Sequence, residues 1–242
     1  MMPLAPPVAG LVLAAGAGSR YGRPKALATT PEGTSWLVRA VHTLAAAGCH
    51  PVIVVLGAGA DAAEALLGDF HPGELVVTRA EDWADGLSAS LRAGLRAAAA
   101  LGPGPLAVAV VPVDVPGLGE ATVRRLIGPA ALGPAALGPA ALGPAALGPD
   151  TLRQACFEGR PGHPVVIGRA HWAGLIASVS GDTGARPYLF AHQAVPVECG
   201  DLETGADIDV NIDVNTDVNI DVDINAGVER ETGGTPGHPP DR

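Results

Sequence analysis

Lysine is almost absent from this chain of 242 residues, in which a single lysine, Lys25, stands against fourteen arginines. Alanine, glycine, proline and arginine are all abundant, so genomic bias accounts for part of that scarcity. It does not account for the position of Lys25, at the end of the glycine-rich run LAAGAGSRYGRPK at 13–25. A compact, rotatable ammonium that follows a glycine-rich loop suits a triphosphate.

Cysteines, aromatic residues and long apolar runs are also scarce. The three cysteines, Cys49, Cys156 and Cys199, are far apart and odd in number, which argues against a disulfide framework or a metal-binding motif. No apolar run approaches the roughly 20 residues of a membrane span, and no basic segment precedes the first apolar stretch. We therefore expect a cytoplasmic protein without a membrane partner, in which Cys156 and Cys199 belong to the core.

Positive charge is nowhere in excess. The net charge is −10, and the segment from Asp201 onward supplies most of it with eleven acidic and two basic residues. The first 200 residues are nearly neutral, with 14 acidic and 13 basic side chains. Neither part has the basic excess of a nucleic-acid binder, so we expect no nucleic-acid partner.

The chain alternates strand and helix patterns at the spacing of βαβ units. Strands are predicted at 8–14, 51–56, 75–78, 106–113, 164–167 and 195–198. Helices are predicted at 35–47, 61–67 with Asp61 as N-cap, 87–101, 170–179 and 183–192. This pattern predicts an α/β fold with a mostly parallel central sheet and helices on both faces, whose ligands bind beyond the carboxyl ends of the strands.

Two repeats interrupt this pattern. Four copies of GPAAL fill 128–147 and indicate a low-complexity surface insertion at 128–149, because proline every five residues blocks a regular helix. From Asp207, isoleucine or valine alternates with aspartate or asparagine. A solvated acidic tail is favoured over a calcium-binding array, because the array's glycines are missing. We expect a catalytic domain at 1–210 and an acidic, disordered tail at 211–242.

The loop at 16–25 combines small residues with cations. Its glycines can expose backbone amides to a ligand, and its hydroxyl and two cations can neutralise phosphates. These residues are Gly16, Gly18, Gly22, Ser19, Arg20 and Lys25. A tight turn with two solvated cations is the alternative, and the presence of both cations favours the phosphate interpretation.

The same loop also fits a loose dinucleotide-binding pattern. That pattern requires an acidic residue at the end of the next strand to hold the ribose. Leu56 and Gly57 occupy that place, and Asp61 comes too late. An NAD(P) oxidoreductase is therefore the weaker hypothesis.

Asp114 follows a valine-rich strand in the run VPVDVPGL. A carboxylate at a strand's carboxyl end is a good Mg²⁺ ligand, because Mg²⁺ takes one or two carboxylates and fills its octahedron with water and phosphate oxygens. Capping of the next helix is the alternative role for this side chain.

Six stretches, in order, resemble the nucleotidyltransferases with a MobA-like fold, and most closely the molybdenum cofactor cytidylyltransferases. They are LAAGAGSRYGRPK, EDWADGLSASL, VDVPGL, GRPGHPVVIG, GDTGAR and DID, and they span roughly residues 8 to 209. The first is shared by many nucleotidyltransferases, whereas GHP together with GDTGAR is more specific. The resemblance implies a three-layer, Rossmann-like nucleotidyltransferase fold.

The resemblance also implies the chemistry. A nucleoside triphosphate, CTP by the LAAG form of the first loop, would transfer its monophosphate to a phosphorylated acceptor such as molybdopterin and release pyrophosphate. Mg²⁺ would be the cofactor, and a molybdoenzyme or its chaperone is a candidate partner. Little covalent chemistry falls to the protein, since positioning and charge neutralisation do most of the work.

Site residues carry over motif by motif. The implied nucleotide-binding residues are Leu13, Ala14, Ala15, Gly16, Gly18, Ser19, Arg20, Lys25, Gly86 and Ser88. The implied catalytic residues are Arg20, Lys25 and Asp114, and the implied metal ligands are Asp114 and Asp209. The implied acceptor-binding residues are Gly162, His163, Asp182 and Arg186, although His163 fits equally well as a packed strand residue.

The chain departs from the family pattern at its end. The acidic repeat replaces the turn and closing helix that normally follow DID, so the second metal ligand could be Asp207, Asp209 or Asp213. The altered tail therefore leaves nucleotide binding without catalysis as an alternative. Use of GTP or another triphosphate is a further alternative, because the choice of CTP rests on one loop.

Overall fold

The computed structural model describes residues 8–71, 73–102, 104–128 and 147–208, all of which belong to one unit of the chain. The predictions for most of the GPAAL insertion, for Asp209 and Asp213 and for the acidic tail lie outside these ranges. None of the helices in these ranges is both long enough and apolar enough to cross a membrane.

The elements follow the predicted alternation. The described strands are β1 Val8–Ala14, β2 Val52–Leu56, β3 Leu75–Arg79, β4 Ala107–Pro112, β5 Leu152–Phe157, β6 Arg160–Gly168 and β7 Val195–Glu198. The described helices are α1 Trp36–Ala46, α2 Ala60–Ala65, α3 Leu87–Ala100, α4 Glu120–Ile127, α5 Arg169–Ser178 and α6 Arg186–Ala191. Short 3₁₀ turns lie at Lys25–Leu27, Trp83–Asp85 and Gly181–Thr183.

The strands form one sheet in the order β3-β2-β1-β4-β6-β5-β7. The pairs β1–β2, β1–β4, β2–β3 and β5–β7 are parallel, and β6 runs antiparallel to both β4 and β5. From β1 the chain first builds outward through β2 and β3, then crosses to the other side of β1 with β4. The crevice between the carboxyl ends of β1 and β4 is therefore the topological switch point, where α/β sheets bind ligands.

Helices cover both faces of the sheet. Alternate residues of β1 enter two separate cores, with Val12 in one and Leu11 in the other. Helices α1 and α4 close the first core, and α3, α5 and α6 close the second. All residues of β1 and β2 are buried, as expected for parallel strands covered on both sides. The predicted three-layer α/β fold is confirmed.

Three local features differ from the predictions, and one of them is helix α4, which the sequence analysis does not predict. Helix α2 begins after Gly59, which adopts the left-handed conformation, so Asp61 lies in the first turn instead of at the N-cap. Its carboxylate accepts a 2.7 Å hydrogen bond from Arg79 at the end of β3. The sequence reasoning missed β5, because its Arg153 and Gln154 hide the strand pattern. The buried Arg153 guanidinium donates to the carbonyl of Leu126 at 2.7 Å, which closes the end of α4.

Candidate active site

A cleft of about 410 Å³ opens at the topological switch point. The loops after β1 and β4 form its floor, and the segment that leads into α3 forms one wall. The lining residues are Leu13, Ala14, Ala15, Gly16, Ala17, Gly18, Ser19, Arg20, Tyr21, Lys25, Trp83, Ala84, Gly86, Leu87, Ser90, Pro112, Val113, Asp114 and Asp182. Residues from four of the separate sequence motifs therefore meet in one place.

Two glycines of the loop after β1 have different reasons to be glycine. Gly18 has a φ of +65°, and a Cβ there would clash with the carbonyl oxygen of Arg23. Its own carbonyl accepts a 2.8 Å bond from Gly22, so the turn itself requires Gly18. A Cβ on Gly16, by contrast, would meet no described atom within 4 Å. Gly16 leaves open space inside the cleft, which a closely approaching ligand can use.

Lys25 and Asp114 face each other across the cleft. The Lys25 ammonium lies 2.8 Å from the Asp114 carboxylate, and both side chains are largely buried, with 14% and 22% of their surfaces exposed. The 3₁₀ turn places Lys25, while the end of β4 places Asp114. An ammonium, a group that suits phosphates, and a carboxylate, a group that suits Mg²⁺, thus lie side by side, and Arg20 lines the same cleft.

The predicted nucleotide-binding residues line this cleft with one exception. Ser88 is fully buried in α3, and its hydroxyl accepts a 3.4 Å hydrogen bond from Arg92. Ser90, two positions further along α3, lines the cleft instead. Two residues along a helix point about 200° apart, so a motif alone cannot choose between the serines. Trp83, Leu87 and Tyr21 were also missed as lining residues, because apolar side chains resemble core residues in sequence.

The GDTGAR and EDWADGL motifs pack against each other at one wall of the cleft. The Asp182 carboxylate accepts a 3.3 Å hydrogen bond from the backbone amide of Leu87. A Cβ on Gly86, which has a φ of +101°, would clash with the same carboxylate. Asp182 therefore lines the cleft and anchors the start of α3. Among the predicted acceptor-binding residues, Asp182 is the one that lines the cleft.

His163 lies on β6, antiparallel to β4, at the edge of the site. Its Nδ1 atom is shielded from solvent and has no hydrogen-bond partner among the described residues. Burial lowers the pKa of His163, while the negative charges of Asp114 and Asp207 act in the opposite direction and Arg186 reinforces the lowering. The charges that act on His163 therefore include Asp114, after β4, and Arg186, at the start of α6.

The other two predicted acceptor residues lie outside the cleft as the described residues form it. Gly162 packs against the ring of Phe157, since a Cβ on Gly162 would lie 2.8 Å from that ring. Arg186 is exposed at the start of α6.

Asp114 is the described half of the predicted metal site, and Asp209 lies outside the described residues. The backbone amide of Ile208, the residue before Asp209, donates a 2.9 Å hydrogen bond to the carbonyl of Asp114. No group of three or more potential metal ligands occurs among the described residues. Mg²⁺ does not need one, because a single carboxylate together with water and phosphate oxygens can complete its shell. The residues present fit such an ion.

The three cysteines are buried and take no part in the cleft. Burial raises the pKa of Cys49 to about 12 and that of Cys199 to about 11, so both stay as thiols near neutral pH. Cys156 and Cys199 are core residues, as predicted, and Cys49 is buried in the core as well.

Comparison with known proteins places this architecture in a family. The model of the MobA-like NTP transferase domain matches residues 10–195. The curated protein named nicotine blue oxidoreductase, from Paenarthrobacter nicotinovorans, is 38% identical over 207 residues, which are 84% of this chain and 93% of that protein.

Solved structures agree with this match. The crystal structure of Rv0371c from Mycobacterium tuberculosis H37Rv superposes with a TM-score of 0.60 at 25% identity, and covers 86% of this chain and 95% of that one. A manganese complex of Rv0371c superposes with a TM-score of 0.54 at 25% identity, over 87% of this chain and 94% of that one. The family model spans most of the chain, and the chain belongs to the family of MobA-like NTP transferase domains.

Proposed function

We propose that this NTP transferase uses Mg²⁺ to move a nucleotide monophosphate from a nucleoside triphosphate to a phosphorylated acceptor, with release of pyrophosphate. The observation that carries the proposal is the pairing of Lys25 with Asp114 at 2.8 Å inside the switch-point cleft. The open space at Gly16 supports it, because phosphates can approach the backbone amides there.

The residues divide the work by charge. An acceptor oxygen attacks the α-phosphorus, a new P–O bond forms, and the bond to pyrophosphate breaks. Arg20, Lys25 and the loop amides neutralise the phosphate oxygens as charge builds on the leaving group. Mg²⁺, held by Asp114 and by Asp209 or a neighbouring aspartate, would add Lewis-acid stabilisation. The ion pair between Lys25 and Asp114 must open, so that each side chain turns to its own ligand.

CTP as the donor and molybdopterin as the acceptor are the finer part of the proposal. CTP rests on the LAAG form of the first loop, and molybdopterin on GHP together with GDTGAR. A molybdoenzyme or its chaperone would then receive the product in the cytoplasm.

Pyrophosphate release tests the proposal. The protein is incubated with Mg²⁺ and molybdopterin, and with CTP, GTP or ATP in turn. We expect release with CTP, and no release when Mg²⁺ is removed by EDTA. Release with only GTP or only ATP would identify that triphosphate, instead of CTP, as the donor. No release with any triphosphate would overturn the enzyme assignment.

A second candidate is electron transfer to a small coloured heterocycle, and the 38% identical nicotine blue oxidoreductase favours it. The structure at the end of β2 argues against an acidic side chain that would bind the ribose of a dinucleotide there. A Cβ on Gly57 would lie 2.6 Å from the carbonyl oxygen of Ala15 and 2.7 Å from Cβ of Trp83, so a side chain has no room there. Stabilisation of the protein by NAD(P)H but not by CTP, with oxidation of NAD(P)H by a dye, would favour this candidate.

A further inference from the structure

Arg92 lies on α3, outside the cleft lining, and its guanidinium joins three segments of the chain. One terminal nitrogen donates to the carboxylate of Asp82 at 3.1 Å, just before the 3₁₀ turn at Trp83–Asp85. The other terminal nitrogen donates to the carbonyl of Val179 at 3.2 Å and to the hydroxyl of Ser88 at 3.4 Å. The planar fork of arginine suits this task, because its nitrogens can reach several acceptors at once.

The segments that Arg92 joins supply one wall of the cleft. Asp82 comes directly before the first residue of this wall, Ser88 lies within its sequence in α3, and Val179 comes three residues before its last residue. Arg92 therefore holds the backbone that presents the wall to the cleft. We call it the α3 wall, and its lining residues are Trp83, Ala84, Gly86, Leu87, Ser90 and Asp182.

Two other close contacts join the same segments. The Asp182 carboxylate accepts the 3.3 Å hydrogen bond from the amide of Leu87, and a Cβ on Gly86 would lie 2.8 Å from the carbonyl oxygen of Gly181. Because these segments pack so closely, a shift of one of them displaces lining residues of the others. The arrangement of the α3 wall therefore depends on the few groups that join it.

The bond between Arg92 and Asp82 is more than an isolated surface ion pair. Only 20% of the Arg92 side chain is exposed, against 47% of Asp82. The hydrogen bond from Arg92 is the main cause that lowers the pKa of Asp82, so the carboxylate stays charged at neutral pH. An exposed pair alone contributes little to stability, but this guanidinium also binds a backbone carbonyl of a second segment.

The α3 wall differs in chemistry from the loop after β1. The cations Arg20 and Lys25 line the cleft from that loop and the turn after it, whereas the α3 wall contains no cation. Trp83 and Leu87 give the wall apolar surface, and the carboxylate of Asp182 repels phosphates. The α3 wall therefore suits the uncharged nucleoside part of a triphosphate, and the loop suits its phosphates.

We propose that Arg92 is a positioning residue for nucleoside recognition, which fixes the α3 wall by holding Asp82 and the carbonyl of Val179. Arg92 acts through the wall and does not touch the substrate itself. This inference rests on the proposed function, because it concerns the nucleotide end of the same cleft. Removal of the guanidinium should weaken the binding of a nucleoside triphosphate and spare the binding of phosphates alone.

Calorimetry with a nucleotide and with inorganic tripolyphosphate, both with Mg²⁺, tests this inference. Tripolyphosphate is the phosphate chain without the nucleoside, and the tightest binder among CTP, GTP and ATP serves as the nucleotide. We expect the wild-type protein to bind the nucleotide more tightly than tripolyphosphate. We expect Arg92→Ala to weaken nucleotide binding by roughly tenfold and to leave tripolyphosphate binding unchanged, which also shows that the variant is folded.

Two further variants sharpen the test. Arg96→Ala removes an exposed arginine one turn further along α3, which does not line the cleft, and should change neither affinity. Asp82→Ala removes one acceptor of the guanidinium and should weaken nucleotide binding in the wild-type background. The same change should add little in Arg92→Ala, because the two side chains act through one contact. Fully additive losses would contradict that coupling and overturn the inference.

The remaining outcomes separate this inference from the proposed function. Equal losses for both probes in Arg92→Ala would assign Arg92 a merely structural role, and unchanged nucleotide binding would assign it none, so either result overturns the inference. Equal affinity of the wild-type protein for nucleotide and tripolyphosphate would also overturn it. Failure of the wild-type protein to bind any triphosphate would instead sink the proposed function.

Discussion

At the residue scale, Gly16 and Gly18 are glycines for different reasons. Gly16 leaves open space in the cleft, whereas the backbone of the turn requires Gly18. We predict that Gly16→Val weakens CTP binding by roughly tenfold or more, because the valine side chain fills the space that phosphates would occupy. The stability should change by no more than about 0.5 kcal/mol, as at an open surface position. Calorimetry with CTP and thermal denaturation measure the two effects.

Gly117→Val is the matched control, since a Cβ there also meets no described atom within 4 Å but the residue does not line the cleft. Unchanged CTP binding in Gly16→Val would contradict the assigned role of the loop. Gly18→Ala should instead disturb the loop itself, because of the positive φ and the clash with the carbonyl of Arg23.

Lys25 is the cation that we propose neutralises the phosphate oxygens during transfer. We predict that Lys25→Ala slows pyrophosphate release by roughly 10²- to 10³-fold, the usual effect of losing one donor to transition-state charge. Arg23→Ala removes an exposed cation of the same loop that does not line the cleft, and should have little effect. A loss of under about threefold in Lys25→Ala would remove Lys25 from the mechanism.

The sequence predicts single residues well where a strand end determines their place. Lys25 and Asp114 each follow a buried strand, so their meeting at one edge of the sheet could be foreseen. Ser88 could not be distinguished from Ser90, because the phase of a helix depends on which residues the core takes. The pairing of Gly162 with the ring of Phe157 could not be foreseen either, because β5 was not recognised.

At the element scale, Glu198 ties β7 to the hairpin between β5 and β6. Its carboxylate accepts hydrogen bonds from the amides of Glu158, Gly159 and Gly200, at 3.0, 3.2 and 2.9 Å. The hairpin turn is unusual, since Glu158 and Gly159 both have positive φ, at 53° and 74°. A charged acceptor therefore holds a turn whose backbone is costly for a residue other than glycine.

The stability that Glu198 contributes depends on pH in a definite direction. Hydrogen bonds from the three amides lower the pKa of Glu198 from its ordinary value of 4.5. The stabilisation is therefore fully present above about pH 4.5 and is lost as the pH falls through the lower, folded-state pKa. We predict that Glu198→Gln lowers Tm at pH 7, and that the difference from the wild type shrinks below pH 4.5.

Thermal denaturation across pH 3 to 8 measures this effect. Glu120→Gln serves as the control, since Glu120 forms an exposed ion pair with Arg124 within α4, which contributes little to stability. A difference between Glu198→Gln and the wild type that grows on acidification would contradict the assigned role.

Elements were predictable where one pattern dominated. Apolar runs at β1, β2 and β4 gave their strands nearly to the residue. The buried Arg153 concealed β5, because a buried guanidinium needs hydrogen-bond acceptors that no local sequence pattern shows. The direction of β6 could not be predicted, because it depends on β5. Strand β6 forms an antiparallel pair with β5, and β5 itself was not predicted.

At the scale of the whole molecule, we propose that residues 1–210 form the catalytic domain and that 211–242 are dispensable for folding. The described residues belong to a unit that ends at Asn211. We predict that a chain truncated after Asn211 keeps the wild-type Tm and the wild-type rate of pyrophosphate release. A lower Tm would assign the tail to the fold, and an unchanged Tm with a lost rate would assign it to the metal site.

The central claim is that Asp114, at the switch point of the sheet, holds the metal of a nucleotidyl transfer. The most direct test compares pyrophosphate release by the wild-type protein and by Asp114→Asn, with Mg²⁺, triphosphate and molybdopterin. Asparagine keeps the shape and loses the charge, so we predict a rate lower by roughly 10²-fold or more with the fold intact. Equal rates in the two proteins would contradict the account.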